Sequence, residues 1–283
     1  MWYTVYMFTF ITIFTFFIKK IRSEDHNVVK FYFPFFMFYF VTSMVSAVIW
    51  PIFILYPRNL KNANFGTRIV SSIVRRIYDV KFVLRNGEIL SEDRGAVIVS
   101  NHQSSLDILG MFTIWDVVGK IAAIAKKQLL YVFPFGLAAW LAGVVFIDRK
   151  NPKMAYQQLK ATSDVMIKQK AKIWLFPEGT RNKDYTKLLP FKKGAFTIAV
   201  AAQVPIIPIV YSPYYFVNAQ KHIFDKGFII MQVLEPVPTK GLTMDDVPDL
   251  IEKIHKKMSM TYKELSKEVL NDLPANYPYT NRG

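Results

Sequence analysis

Cysteine is absent from the 283-residue chain, which removes disulfides, thiolate metal sites and any acyl-cysteine intermediate while leaving the compartment open. Histidine is scarce, and the spacing of His26, His102, His222 and His255 does not suggest a metal site. Acidic residues are few as well: 21 Asp and Glu stand against 36 Lys and Arg, a net charge of +15. No zinc-finger spacing and no basic region leading into heptads accompany that charge, which speaks against nucleic acid as a partner. Internal repeats and low-complexity tracts are missing.

What the chain has in abundance is apolar. Hydrophobic residues make up 52% and Phe alone numbers 24. Apolar and basic together fit a membrane-associated protein facing anionic lipid or phosphate-bearing ligands better than a cytosolic enzyme. The length allows one sizeable core, or one core with an appendage.

The first stretch, MWYTVYMFTFITIFTFFI, carries no charge and is followed by Lys19, Lys20 and Arg22. As a helix it would be roughly 27 Å long, just enough to cross the hydrocarbon of a thin bilayer. A signal peptide would want a positive start and a small-residue cleavage site; neither is visible, so a retained anchor is expected. A second uncharged stretch, Phe31 to Pro57, contains Pro34 and Pro51 and reads as a second span or a bent, re-entrant element. Basic residues flank it on both sides and give no orientation. Residues 1–57, with segments at about 1–18 and 31–57, are therefore expected to anchor the chain, and residues 58–283 to form the functional domain.

Beyond Pro57 the pattern alternates. A helical stripe over Thr67 to Tyr78 leads into the strand VKFVL, a turn at Asn86-Gly87 and the buried strand AVIVS. An amphipathic helix from Lys153 to Lys170, the strand KIWLF, a helix from Gly194 to Gln203, and strands at Ile206 to Tyr211 and Phe228 to Leu234 follow. A solvated helix from Thr243 to Leu270 closes the chain, acidic early and basic late as a helix dipole prefers. This alternation predicts an α/β domain with a mainly parallel sheet flanked by helices. Gln128 to Ile147, interrupted by Pro134, Gly136 and Gly143, reads as a buried or membrane-dipping hairpin within that domain.

Ligands of such sheets gather beyond the strand ends, where SNHQSSLD follows AVIVS. Five residues separate His102 from Asp107, roughly 140° on a helix, so the two would not share a helical face. They meet only if His102 lies in the loop and a helix begins at Ser104 or Ser105, with Asp107 in its first turn. A carboxylate there can bond one imidazole nitrogen and leave the other free to accept a proton. Ser104 and Ser105 are better explained as caps than as acylated nucleophiles. The other three histidines show no such partner and read as surface residues. In FPEGTR, Gly179 permits a tight turn or a close ligand approach and Arg181 offers a planar fork suited to phosphate. The competing reading is a turn in which Glu178 and Arg181 pair with each other.

SNHQSSLD, KKQLLYVFPFG running to GVVFIDR, FPEGTR and VPIIPI, in this order and at this spacing, resemble the lysophosphatidate acyltransferases of the glycerolipid acyltransferase family. The likeness is close over residues 100–212, and the hydrophobic N-terminus and QSSLD wording look most like its endoplasmic-reticulum members. It implies direct transfer of an acyl group from acyl-CoA, a co-substrate rather than a cofactor, to the sn-2 hydroxyl of 1-acyl-glycerol-3-phosphate in the membrane. By that resemblance His102 is the general base and Asp107 its orienter. Lys126 and Arg181 hold the acceptor phosphate, within a substrate-binding set that includes Glu178, Gly179, Thr180 and Arg149. Gln128 departs from the family's usual glutamate. No metal is implied. The chemistry agrees: a thioester is already activated, so a base, an oxyanion stabiliser and positioning suffice. The alternatives are the same chemistry on lysophosphatidylcholine, lysophosphatidylinositol or glycerol 3-phosphate, or a non-catalytic scaffold binding anionic lipid. A scaffold has no use for a poised base.

Overall fold

The computed structural model describes residues 2–23, 25–78, 80–148, 163, 166–182, 184, 186–271 and 273. At its centre β2 (Ala96–Ser100), AVIVS, is buried along its whole length, as a β-branched strand covered on both faces must be. Parallel to it run β5 (Lys172–Leu175), β3 (Ile121–Lys126) and β4 (Val145–Ile147) on one side and β6 (Ile206–Tyr211) on the other. Beyond β6 lies β9 (Gly227–Val233), antiparallel to it, and β1 (Val80–Arg85) pairs with β9 in parallel. The seven strands thus take the order β1-β9-β6-β2-β5-β3-β4, and a two-stranded ribbon of β7 (Val217–Asn218) and β8 (Ile223–Phe224) stands apart. The expectation of a mainly parallel sheet flanked by helices is met.

The period of two along the strands sorts their side chains into two cores. Ile98, Ile207 and Ile229 face one layer, which holds α2 (Val28–Phe53), α3 (Leu60–Ile77), α5 (Leu106–Thr113), α6 (Trp115–Val118) and α7 (Phe135–Leu141). Val97, Val99 and Ile230 face the other, which holds α8 (Gly194–Ala202) and α9 (Val247–Asn271). The short α4 (Glu88–Ser91) follows β1. Asn86, in the predicted turn, has φ +56, but that turn leads to α4 rather than to a hairpin, because β1 and β2 lie at different places in the sheet.

The apolar N-terminus forms α1 (Trp2–Arg22) and α2. Asn27 caps α2, its side chain accepting from the Lys30 N–H at 2.9 Å, and both Pro34 and Pro51 lie inside one continuous helix. Among the described residues α2 is long and apolar enough to cross a membrane. One side of it, with Phe31, Phe38, Val41, Ile49 and Phe53, is nevertheless buried in the same core as the sheet. Several elements escaped the sequence reading: β3, β4 and the ribbon are too short or too weakly patterned to stand out from the apolar runs around them. The predicted helix over Lys153 to Lys170 lies largely outside the described residues; those described within it, 163 and 166–169, are helical, and 170 is a turn.

Candidate active site

β2, β5 and β3 are neighbours in the sheet and parallel, so their C-terminal ends open on the same edge. That alone gathers residues far apart in sequence: His102 from the loop after β2, Lys126 from the end of β3, and 176–181 from the loop after β5. His102, Lys126, Gly179, Thr180 and Arg181 all line one cavity of about 480 Å³.

His102 Nδ1 lies 2.6 Å from Asp107 Oδ2. The carboxylate is fully buried, and it also accepts from the backbone N–H of Gln103 at 2.7 Å and of Ser104 at 3.1 Å. Asp107 sits in the first turn of α5, as the spacing requires, where the exposed N–H groups and the helix dipole favour an anion. Ser105 occupies the N-cap position without a side-chain hydrogen bond, and Ser104 Oγ accepts from the Leu106 N–H at 3.3 Å. Asp107 itself does the capping expected of the serines. With three backbone and ring donors aimed at the carboxylate, Nδ1 of the neutral imidazole carries the proton. Nε2 has no hydrogen-bond partner among the described residues.

Glu178 does not pair with Arg181. It is 2% exposed, and its two oxygens accept from the backbone N–H of His102 at 2.8 Å and of Leu189 at 3.1 Å. Burial pushes this carboxyl up to about 7, against the pull of those two donors. The loop of His102 is therefore held at its N–H by a glutamate and at its carbonyl by the Asn182 N–H, 2.7 Å away. Gly179 has φ +69, a conformation that glycine adopts without strain. A Cβ there would meet the Lys192 side chain at 2.9 Å. Lys126, Thr180 and Arg181 are exposed, and among the described residues neither cation is in an ion pair. Arg149 lies outside the described residues.

An imidazole oriented by a carboxylate, two cations without an ion pair among the described residues and a largely apolar cavity stand together at the strand ends. The chain matches the family model described as Acyltransferase over residues 81–212. It is 44% identical to the human 1-acyl-sn-glycerol-3-phosphate acyltransferase beta over 67% of this chain and 68% of that protein. To the human alpha form it is 40% identical over 77% of this chain and 76% of that protein. The chain belongs to the glycerolipid acyltransferase family. It is an acyltransferase. Its fold is shared with the solved 1-acyl-sn-glycerophosphate acyltransferase PlsC from Thermotoga maritima, at a TM-score of 0.60 and 24% identity, over 84% of this chain and 96% of that one.

Several parts of this candidate site left no signal in the sequence. The Phe176 ring stacks on the His102 imidazole at 4.1 Å between centroids and 19° between planes, fixing the ring that Asp107 orients. Asn101 Nδ2 donates to the Tyr211 carbonyl at 3.0 Å and its Oδ1 accepts the Tyr211 N–H at 2.8 Å, clamping the end of β2 to β6. Tyr211 Oη in turn donates to the Asp107 carbonyl at 3.1 Å. His255, read as a surface residue, is half-buried and lies 3.1 Å through Nε2 from the carbonyl of Leu189, whose N–H holds Glu178. These contacts join residues on different strands and helices, so no local pattern could announce them.

Proposed function

We propose that this enzyme transfers an acyl group from acyl-CoA to the sn-2 hydroxyl of 1-acyl-glycerol-3-phosphate, with His102 as general base. The observation that carries the reading is the His102–Asp107 pair, 2.6 Å apart, in a cavity shared with Lys126 and Arg181. Nε2 takes the proton of the acceptor hydroxyl as its oxygen attacks the thioester carbonyl. The imidazolium so formed lies against the buried Asp107 carboxylate. When the tetrahedral intermediate collapses, the carbon–sulfur bond breaks and the imidazolium returns its proton to the departing CoA thiolate. The site is then restored without a covalent enzyme intermediate, in keeping with the absence of cysteine.

Lys126 and Arg181 hold the terminal phosphate, a phosphomonoester whose charge exceeds that of a diester. Thr180 and Gly179 shape its seat, and Glu178 supports it indirectly by fixing the loop backbones. The rest of the cavity, walled by residues such as Val45, Ile49, Phe53, Val70 and Met111, suits a hydrocarbon chain. The similarity to the named human acyltransferases supports lysophosphatidate as the acceptor, and the apolar α1 and α2 support a membrane location. The resemblance of the hydrophobic N-terminus and QSSLD to endoplasmic-reticulum members favours that membrane.

The test is acyl transfer by membranes carrying the protein, with labelled oleoyl-CoA offered to lysophosphatidate, lysophosphatidylcholine, lysophosphatidylinositol and glycerol 3-phosphate, beside His102→Ala. Selective transfer to lysophosphatidate that is lost in a folded His102→Ala variant is expected. Preference for another acceptor would overturn the phosphate argument, and a variant with near wild-type turnover would remove His102 from its role.

A further inference from the structure

We infer that residues 131–133 and Trp140, together with residues 54–56 just beyond α2, form a rigid apolar rim that inserts into a lipid bilayer beside the cavity. The inference rests on the membrane reading above and names a second contact, distant in sequence from the N-terminal helices. Tyr131 is 72% exposed, Val132 50% and Phe133 71%, three apolar residues in a row at the surface. They do not belong to a loose loop. Val132 donates through its N–H to the Leu129 carbonyl at 3.3 Å, and its own carbonyl accepts from Gly136 at 2.7 Å. Gly136 packs so tightly on the Leu130 carbonyl that no Cβ would fit.

The inner side of the same hairpin walls the site: Gln128, Leu129, Phe135 and Ala138 line the cavity that holds His102. Its far end is tied to the segment that joins α2 to α3 and to the first turn of α3. Arg58 Nη1 donates to the carbonyls of Trp140 at 3.3 Å and Val144 at 3.1 Å, with its guanidinium 5.4 Å from the Trp140 ring centroid. Asn62 Nδ2 bridges the carbonyls of Tyr56 at 2.7 Å and Leu141 at 3.3 Å. Exposed Ile54, Leu55 and Tyr56 are thereby fixed next to exposed Trp140, so one apolar surface is built from two separate segments.

Contiguous exposed surface of this kind marks an interaction site, and three features select lipid as the occupant. Neither residues 31–58 nor residues 126–147 contain an acidic side chain, while Arg58, Lys61 and Lys126 border these stretches, complementary to anionic headgroups; Lys127 is already paired with Asp148 at 3.6 Å. Tyr131, Tyr56 and Trp140 are the aromatic types that settle at a membrane–water boundary. The patch also runs on into the exposed face of α2, the helix apolar enough to enter a membrane. A lipid substrate could then pass from the bilayer into the cavity without crossing water.

The absence of cysteine makes the test direct. Single-cysteine forms of the full chain, Tyr131→Cys, Val48→Cys on α2 and Met260→Cys on α9, are labelled with an environment-sensitive fluorophore. Each is reconstituted into phosphatidylcholine–phosphatidylserine vesicles with or without a nitroxide-bearing lipid. The expected result is quenching of roughly twofold or more at positions 131 and 48 and none at 260, as apolar insertion into the acyl boundary requires. Quenching at 48 with 131 behaving like 260 would overturn the inference and leave the membrane reading standing. No quenching at either would remove both. A blue shift at 131 that resists nitroxide lipid and grows with the protein-to-lipid ratio would identify a second copy of the chain as the occupant, and would likewise overturn it.

Discussion

Replacing Asp107 with Asn separates what the carboxylate does by shape from what it does by charge. Oδ2 alone receives all three donors: His102 Nδ1 at 2.6 Å, the Gln103 N–H at 2.7 Å and the Ser104 N–H at 3.1 Å. The amide of Asn can place its oxygen there, leaving its NH2 on the side of Oδ1, where among the described residues the one donor is Ser104 at 3.2 Å, already satisfied by the other atom. The tautomer and ring orientation of His102 therefore survive. The stabilisation of the imidazolium that the proposed mechanism forms does not. Opposite charges centred about 4 Å apart at an effective dielectric of about 20 attract by about 4 kcal/mol. That interaction arises only as the proton moves, so it is lost from the transition state and corresponds to about a thousandfold in turnover. Stability should fall less, by about 1 to 3 kcal/mol: the three hydrogen bonds weaken when their acceptor loses its charge, and the lifted cost of burying that charge offsets part of the loss. Steady-state transfer to lysophosphatidate and thermal unfolding, measured side by side, check both numbers. A variant within tenfold of wild type in kcat, while His102→Ala is inactive, would refute the electrostatic argument.

Glu178 carries a pH signature. Its carboxyl is raised to about 7 from an ordinary 4.5, so between those values the native state holds a proton that the unfolded chain has released. Stability from this group is full below about pH 4.5 and falls as pH rises to about 7, by roughly 3 kcal/mol at most. Denaturation at a series of pH values should show that slope in the wild type and not in Glu178→Gln; equal slopes would refute the assignment. Gly136→Ala forces a methyl against the Leu130 carbonyl and is expected to cost about 2 kcal/mol or more, read as a lowered unfolding midpoint; an unchanged midpoint would show the hairpin to be looser than described. Arg181→Ala, at an exposed residue without an ion pair among the described residues, should leave stability within about 0.5 kcal/mol. Losing a charge-assisted contact to phosphate should raise the acceptor KM by about 10- to 100-fold, and an unchanged KM would remove Arg181 from that role.

Much of the site was legible because its chemistry is local. The five-residue interval between His102 and Asp107 excludes a shared helical face and so demands a loop followed by a helix, and loop and helix are what the chain forms. AVIVS announced a buried strand because β-branched residues filled both of its faces. Other choices were undecidable from pattern. FPEGTR left open whether Glu178 would pair with Arg181, since a turn permits either; tertiary structure decided it by placing two backbone N–H groups, from His102 and Leu189, against the buried carboxylate. Phe31 to Pro57 read equally as a span or a bent element, and only packing revealed a continuous helix with one face in the core.

By itself the sequence determined the alternation that makes a parallel sheet, the histidine poised after one strand and the exclusion of thiol chemistry. Periodicity, capping and residue type act over a few residues, and those are the features they govern. Tertiary structure alone decided that β2, β5 and β3 lie side by side, and so that His102, Lys126 and Arg181 share one cavity. Strand order is set by which faces bury together across the whole chain, and no short window of residues carries that information.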